Sequence, residues 1–200
     1  VAARMLRVPV VGVYHTDFPA YIDHLFDDET YTKLCRGVMR MFYKPFSRVF
    51  TRSDDYTDSL VDLGVERNRV VRLRPGIDTA RFRANHKRMA VWDELEQEGV
   101  TGVSDGGDAT VRVVYCGRVS VEKNLPVLTK VWKRASAELQ RRGVKARLIV
   151  VGDGPYRKTM EEELRGMAVS FLGFRHGTQL SEIYASSDLF VFPSDTDTLG

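Results

Sequence analysis

Hydrophobic and polar positions alternate between two patterns in the second half of the chain. Short apolar runs, typical of strands buried on both faces, are followed by segments with apolar residues three or four positions apart, typical of helices. The runs predict strands at residues 111–116, 147–151, 169–171 and 189–192, and the segments predict helices at 125–142, 156–167 and 178–186. Strands that alternate with helices predict an α/β fold with a parallel, doubly wound sheet.

The first part of the chain shows the same alternation. It predicts strands at residues 8–14, 48–51 and 70–73, and helices at 30–46 and 54–63. Residues 79–109 break the pattern with one predicted helix at 90–97, followed by a loop rich in Gly, Ser and Asp. We therefore predict the end of a first Rossmann-like domain at 1–78, a linker and excursion at 79–109, and the first half of a second Rossmann-like domain at 110–200.

The overall composition narrows the class of protein. The chain has 200 residues, 43% of them hydrophobic, and a net charge of +3. This composition favours a packed core over disorder and gives no sign of a nucleic-acid-binding tail. The two cysteines are far apart and favour a reducing, cytoplasmic setting. The chain starts without Met and stops in a polar segment, so we expect an internal piece of a longer protein, with both sheets incomplete.

The loop after the predicted strand at 111–116 carries the clearest candidate chemistry. Arg118 and Lys123 lie five positions apart, and the next predicted helix begins near Leu125. A helix N-terminus offers free N–H groups and the positive end of its dipole, and open α/β sheets bind ligands at the carboxyl ends of their strands. The pattern predicts a diphosphate site. Glu122 would orient Lys123 or cap the helix, and an exposed loop with an internal Lys–Glu pair is the alternative.

A second loop with glycines follows the predicted strand at 147–151. Gly152 and Gly154 either let the backbone approach a ligand or simply form a tight turn before a helix, and the sequence favours neither. The spacing is not the G-x-G-x-x-G of dinucleotide-binding proteins, because Arg157 stands at the last position. This departure argues against an NAD-dependent dehydrogenase.

Six segments, in order, resemble motifs of the retaining GT-B glycosyltransferases of group 1 (family 4). They are Tyr14-His15-Thr16-Asp17-Phe18-Pro19, Arg74-Pro75-Gly76-Ile77-Asp78 with Phe82, Gly117-Arg118 with Glu122-Lys123, Val151-Gly152-Asp153-Gly154-Pro155, Phe171-Leu172-Gly173-Phe174, and Phe192-Pro193-Ser194 with Asp197-Thr198-Leu199-Gly200. The chain departs from the family's E-x7-E motif because Asp197 stands where Glu is commoner, and the second acid would lie beyond Gly200. The motifs most resemble those of transferases that place mannose or sulfoquinovose on lipids.

The resemblance implies a GT-B fold with two Rossmann-like sheets and a metal-independent, cofactor-free transfer of a hexose from a UDP- or GDP-sugar to an acceptor hydroxyl. The residues implied as catalytic are His15, Arg118, Lys123 and Asp197; those implied to contact substrate are Asp17, Gly117, Glu122, Gly152, Gly154, Phe174, Arg175, Ser194, Thr198 and Gly200. A GT-B epimerase or phosphorylase and a nucleotide-binding fragment without activity are the alternatives, and we expect the piece itself to be inactive.

The segment from Thr30 to Ser47 interleaves basic and apolar residues, as in helices that lie on anionic membranes. Some members of the family glycosylate lipids at the cytoplasmic membrane face, so a lipid or glycan acceptor and peripheral membrane contact are expected partners. The ordinary alternative, which the sequence favours slightly, is a helix that packs its apolar side on the first sheet.

Overall fold

The computed structural model describes residues 2–26, 28–74, 76–104 and 110–194. The chain divides into two compact units, one that extends to Gly76 and one that begins at Ile77. The first unit contains α1 (Ala2–Met5), β1 (Val11–Val13), α2 (Phe18–Phe26), α3 (Glu29–Tyr43), β2 (Arg48–Thr51), α4 (Asp54–Asp62) and β3 (Val70–Arg72). The second contains α5 (Ala90–Gln97), β4 (Val111–Cys116), α6 (Leu125–Arg141), β5 (Ala146–Val151), α7 (Arg157–Glu163), β6 (Val169–Gly173), α8 (Gly177–Ala185) and β7 (Leu189–Phe190).

The first unit is built on a parallel sheet of order β1-β2-β3. Helices α3 and α4 begin at side-chain caps, since Asp28 accepts from the N–H of Thr30 at 2.7 Å and Ser53 from that of Tyr56 at 3.2 Å. The buried core consists of Tyr14, Tyr43, Val49, Leu60, Leu63 and Val65. The alternation of strands and helices predicted for this part of the chain is therefore confirmed.

The first unit differs from the prediction in three details. The predicted strand at 8–14 shortens to β1, because the chain leaves α1 through Arg7 at φ 54° and the N–H of Val8 donates to Ala3. Helix α2 had no counterpart in the prediction, although Pro19 near its start is a helix signal. Helix α3 packs Tyr43 and the half-buried Met39 on the core of this unit, whereas most of its other large apolar side chains are exposed.

The second unit is built on a parallel sheet of order β6-β5-β4-β7. Helices α6 and α7 cover one face, and α5 and α8 cover the other, so the doubly wound arrangement is confirmed. The fully enclosed residues of the two faces include Tyr115, Leu125, Leu148 and Met160 on the first and Trp92, Leu95, Ile149 and Ile183 on the second. Helix α7 is shorter than the predicted 156–167, because Gly166 at φ 80° turns the chain.

The strand order reverses beside β4. The chain runs from β4 to β5 and β6 on one side, and then crosses to β7 on the other. The reversal lies between β4 and β7, and open α/β sheets bind their ligands outside the carboxyl ends of the strands at such a point. The loop after β4 is the one that carries Arg118 and Lys123.

The stretch before β4 packs on the second sheet. Helix α5 buries Trp92 completely on the face that it shares with α8. His86 Nδ1 lies 2.9 Å from Ser181 Oγ, and Arg88 forms ion pairs with both Glu94 and Glu182. The residues that we predict as linker and excursion thus contribute core and ion pairs to the second unit, and the predicted domain boundaries stay a prediction. No described helix is long and apolar enough to span a bilayer.

Candidate functional site

The loop after β4 presents its cations at the reversal of strand order. The Arg118 side chain is 66% exposed, and its Nη1 lies 3.7 Å from Glu122 Oε1. Lys123 ends a short 3₁₀ turn, Val121–Lys123, which comes immediately before α6. Glu122 therefore contacts Arg118, a pair that the sequence did not predict. At 3.7 Å, on a mostly exposed guanidinium, this ion pair leaves Arg118 able to receive an anion.

The backbone around the start of α6 is left without a side-chain cap. Asn124 adopts a left-handed conformation, φ 55° and ψ 29°, and its side chain accepts no hydrogen bond from the helix. In the loop itself, the Ser120 hydroxyl is fully buried and has no hydrogen-bond partner among the described residues. The N–H groups of Asn124, Val127 and Leu128 donate to backbone carbonyl oxygens and Pro126 has none, so the two cations are the groups of this helix start that could bind an anion.

Tyr115, at the end of β4, connects the two loops that flank the crevice. Its hydroxyl donates to the carbonyl oxygen of Arg118 at 2.8 Å. Its ring stacks on Phe192, which follows β7, with centroids 5.9 Å apart and planes 12° apart. Gly117 gives this contact room, because a Cβ there would lie 2.9 Å from the tyrosine hydroxyl. Neither Tyr115 nor Phe192 is among the predicted site residues, because the sequence shows each as an aromatic residue in a strand pattern and Phe192 also as the first residue of a motif.

Gly152 and Gly154, after β5, bring their backbone against the loop that follows β4. A Cβ on Gly152 would lie 2.0 Å from the carbonyl oxygen of Gly117, and one on Gly154 would lie 2.4 Å from that of Val119. The N–H of Val119 donates to the Asp153 carbonyl at 3.0 Å, and the N–H of Tyr156 donates to the Val119 carbonyl at 3.0 Å. The close approach that these glycines allow is therefore to protein backbone, and ligand contact by either one stays a prediction.

Asp153 uses its carboxylate within the loop after β5. One oxygen accepts from the N–H of Gly154 at 2.7 Å, and the other accepts from Arg157 at 2.9 Å. The Gly154 hydrogen bond, and secondarily the Arg157 guanidinium, hold the pKa of this carboxyl below its usual range. The pKa of Arg157 is raised, mainly by Glu161 and then by Asp153. The polar groups of this loop are thus satisfied by one another.

The residues that follow β6 and β7 occupy the same edge of the sheet. Phe174 is 67% exposed, and its ring lies parallel to that of His176, with centroids 6.4 Å apart and planes 7° apart. Arg175 instead donates to Glu98 at 3.0 Å, which ties it to the end of α5. Ser194 is half-buried just beyond β7. An exposed aromatic pair is a surface on which a flat ring can stack.

In the first unit, His15 and Asp17 follow β1. His15 is exposed. Asp17 accepts from the N–H of Ala20 at 3.1 Å and from the Ser59 hydroxyl at 2.9 Å, so it caps α2 and ties it to α4. Asp17 also faces Tyr14, whose pKa is raised, chiefly by burial and then by this carboxylate. The structure thus gives Asp17 a structural role, in addition to the acceptor contact that the resemblance implies.

Two models of glycosyltransferase domains match the chain, one in each part. The model described as Glycosyltransferase Family 4 matches residues 1–81, and the model described as Glycosyl transferases group 1 matches residues 110–200. The chain belongs to the group 1, family 4 glycosyltransferases. The family that the sequence motifs resemble is therefore confirmed.

Individual glycosyltransferases support this assignment. The sulfoquinovosyl transferase SQD2 of Arabidopsis thaliana is 31% identical over 99% of this chain and 36% of its own length. The alpha-monoglucosyldiacylglycerol synthase of Streptococcus pneumoniae is 26% identical over 99% of this chain and 44% of its own length. The chain thus spans less than half the length of these relatives.

A solved structure confirms the predicted GT-B fold class. The crystal structure of Anabaena Alr3699/HepE in complex with UDP and glucose superposes with a TM-score of 0.67 at 19% identity, over 96% of this chain and 48% of that one. At this level of identity the similarity shows the fold alone.

Part of the family's motif set lies outside the described residues. Asp197, Thr198 and Gly200, which the resemblance implies for the donor sugar, are all in this group. Among the described residues, no three His, Cys, Asp or Glu side chains are grouped so that they could hold a metal ion. The part of the site that can be built from the structure therefore consists of the loops after β4, β5, β6 and β7.

Proposed function

We propose that the full-length protein transfers a hexose from a UDP- or GDP-sugar to an acceptor hydroxyl, with retention of the α configuration and without a metal. The observation that carries the proposal is the loop after β4, which places Arg118 and Lys123 at the point where the strand order reverses. Membership of the glycosyltransferase family supports a transferase over an epimerase or a phosphorylase.

In this proposal the two cations stabilise the leaving nucleoside diphosphate. Negative charge grows on the β-phosphate as the bond to the sugar breaks, so fixed cations act more strongly on the transition state than on the bound donor. Removal of Arg118 and Lys123 should then lower kcat more than it raises KM. Because these side chains supply the positive charge, the reaction should proceed in EDTA. His15 and Asp197 remain proposed catalytic residues.

We further propose a lipid acceptor at the cytoplasmic face of a membrane. The pneumococcal relative, named for a diacylglycerol product, supports a lipid. The basic and apolar segment from Thr30 to Ser47 would bring the protein to that surface. A glycan acceptor is the competing choice, and product analysis with radiolabelled donor and either diacylglycerol or oligosaccharide separates the two.

Calorimetric titration of the full-length protein with UDP, GDP and ADP, in EDTA, tests the donor site. One nucleotide should bind, and Arg118→Ala combined with Lys123→Ala should weaken its binding by at least roughly 100-fold, because hydrogen bonds to charged groups contribute about 1.5–3 kcal/mol each. The matched control is Lys130→Ala with Arg134→Ala, which removes the same charge from exposed positions of α6.

Three results would contradict the proposal. A folded protein that binds none of the nucleotides would rule out the donor site. An equal loss of nucleotide affinity in the control variant would show that the effect comes from net charge alone. Turnover of a UDP-sugar without any acceptor would instead favour an epimerase. The anomeric configuration of the product, read from its NMR coupling constants, tests retention separately.

A further inference from the structure

A polar cavity lies between α2, α3 and α4 in the first unit. It has a volume of about 290 Å³, and its polar lining consists of Asp17, Asp23, Thr32, Arg36 and Ser59. Asp17 follows the carboxyl end of β1, and open α/β sheets bind their ligands beyond the carboxyl ends of their strands. This three-helix cavity is therefore placed where a small ligand is expected.

Opposite charges face the three-helix cavity without pairing. Asp17, Asp23 and Arg36 all line it, yet Arg36 forms no hydrogen bond or ion pair with any described residue. A carboxylate only accepts hydrogen bonds and a guanidinium only donates them, whereas a hydroxyl group does both. A ligand that carries several hydroxyl groups can therefore bind all three side chains at once.

The two carboxylates are held in place by neighbouring groups. Asp17 accepts from the N–H of Ala20 at 3.1 Å with one oxygen and from the Ser59 hydroxyl at 2.9 Å with the other. One oxygen of Asp23 accepts from the Thr32 hydroxyl at 3.1 Å. A carboxylate offers about four acceptor positions, so each of the two keeps positions for a ligand. Because both are fixed before a ligand arrives, less entropy is lost on binding.

Tyr14 places a buried hydroxyl beside the same cavity. Its side chain is fully buried, and its hydroxyl faces Asp17 and has no hydrogen-bond partner among the described residues. A buried polar group without a partner is destabilising, and a new hydrogen bond removes that penalty. A ligand hydroxyl held by Asp17 would offer this bond, so Tyr14 is a second, independent indication of a hydroxylated ligand.

We propose that the three-helix cavity binds the polyol head of the acceptor, that is, a sugar ring or another group with neighbouring hydroxyls. The proposal rests on the transferase function proposed above, for which it names the class of acceptor. A diacylglycerol offers a single hydroxyl and would leave most of the polar lining unpaired. Sites built on hydrogen bonds discriminate strongly against ligands that lack the partner groups. An earlier glycosyl or polyol transfer must therefore supply the acceptor.

Saturation-transfer NMR on the full-length protein tests the cavity without turnover. The probes are glycerol, myo-inositol and methyl α-glucoside, and at least one of them should bind. Asp23→Asn and Arg36→Gln should each weaken binding of that probe by roughly tenfold or more, because each removes a charged hydrogen-bond partner. Both side chains are exposed, so the variants should fold, whereas a change at Asp17 would also remove the cap of α2.

The matched controls are Asp62→Asn and Arg134→Gln, which make the same chemical changes at exposed positions away from the cavity. Neither should change probe binding. Calorimetric titration with UDP and GDP then shows whether the donor site is intact. Nucleotide binding without probe binding refutes the polyol cavity alone, and probe binding without nucleotide binding refutes the transferase function on which the acceptor role rests.

Turnover by the full-length protein identifies the molecule that carries the polyol. The donors are radiolabelled UDP-glucose and GDP-mannose, and the acceptors are dioleoylglycerol, monoglucosyl dioleoylglycerol and maltose. One of the two glucose-bearing acceptors should be used in preference to dioleoylglycerol, the first if the polyol belongs to a lipid and the second if it belongs to a free glycan. Arg36→Gln should raise KM for that acceptor by roughly tenfold or more and leave nucleotide affinity unchanged.

The proposal is overturned if none of the three probes binds the folded protein. It is also overturned if Asp23→Asn and Arg36→Gln bind the probe as the unmodified protein does, or if the two controls lose as much affinity. Preference for dioleoylglycerol over both glucose-bearing acceptors would refute it as well, because the cavity would then not hold the head of the acceptor.

Discussion

The loops after β4 and β5 leave the same edge of one sheet and both begin with glycine, yet they use their polar groups differently. In the loop after β5, the Asp153 carboxylate is engaged by Gly154 and Arg157 at 2.7 and 2.9 Å. In the loop after β4, Arg118 is 66% exposed, with its acidic neighbour at 3.7 Å. The loop after β5 thus satisfies its own charges, whereas the exposed Arg118 of the loop after β4 can receive an anion.

The two loops depend on each other. The loop after β5 accepts and donates backbone hydrogen bonds at Val119, both at 3.0 Å, and so fixes the residue next to Arg118. Electrostatic stabilisation is most effective when the charged groups are held in place before the reaction, because no energy is then spent on reorganising them. The loop after β5 should therefore affect nucleotide binding through its backbone hydrogen bonds with Val119, because these hold the loop after β4 in place.

The largest expected effect is that of Gly152→Ala, which disrupts the contact between the loop after β5 and the loop after β4. A Cβ there would lie 2.0 Å from the Gly117 carbonyl oxygen, at φ 117°, so backbone strain of about 1–2 kcal/mol and overpacking of about 1–3 kcal/mol should add. The matched control is Gly143→Ala, at φ 70° with open space around it, which should cost the strain alone. Urea unfolding of the full-length protein, followed by tryptophan fluorescence, measures both.

Nucleotide titration of the same two variants sharpens the test. Gly152→Ala should weaken binding even where the protein remains folded, whereas Gly143→Ala should not. Equal free energies of unfolding for the two variants, or unchanged nucleotide affinity in a folded Gly152→Ala protein, would show that the loop after β5 does not support the loop after β4.

A smaller effect is expected from Tyr115→Phe, which removes the hydrogen bond to Arg118 and keeps the ring against Phe192. One neutral hydrogen bond contributes about 0.5–1.5 kcal/mol, so nucleotide affinity should fall roughly threefold to tenfold. Tyr156→Phe removes a hydroxyl bonded to Glu163 at 3.0 Å, away from the cations, and serves as the control. If both variants bind nucleotide alike, Tyr115 does not position the loop.

Much of the fold could be predicted because its signals are local. The apolar run at 111–116 and the periodicity at 125–142 gave β4 and α6 nearly to the residue. Tertiary contacts add features that the local pattern does not show. Arg112 interrupts the apolar run of β4, yet it is only 3% exposed, because its guanidinium lies 5.1 Å over the Trp92 ring.

The two cations of the candidate site could be predicted from the sequence, but the contacts that position their loop could not. Arg118 and Lys123 stand out because two cations follow a strand, a pattern that can be read along the chain. The stacking of Tyr115 on Phe192 joins residues that are far apart in sequence, so no spacing rule finds it. The exposure of the apolar face of α3 could not be predicted either, since periodicity identifies an apolar face but does not show whether it packs on the sheet or faces solvent.

The smallest expected effect is a pH dependence of the stability, and it comes from Asp153 in the loop after β5. Because the folded pKa of Asp153 lies below its ordinary value, its carboxylate stabilises the fold above about pH 4 and this contribution is lost as the pH falls through the folded pKa. Asp153→Asn should therefore be less stable than the unmodified protein at neutral pH, and the difference should close below about pH 4.

The control for this prediction is Glu161→Gln, which removes the other carboxylate that Arg157 contacts, at 2.7 Å, and leaves the Gly154 hydrogen bond intact. Urea unfolding at a series of pH values measures both variants. If Glu161→Gln reproduces the pH dependence of Asp153→Asn, the ion pair with Arg157 is the source of the effect. If only Asp153→Asn shows it, the carboxylate acts through the backbone of its own loop, which is what support of the cation-bearing loop requires.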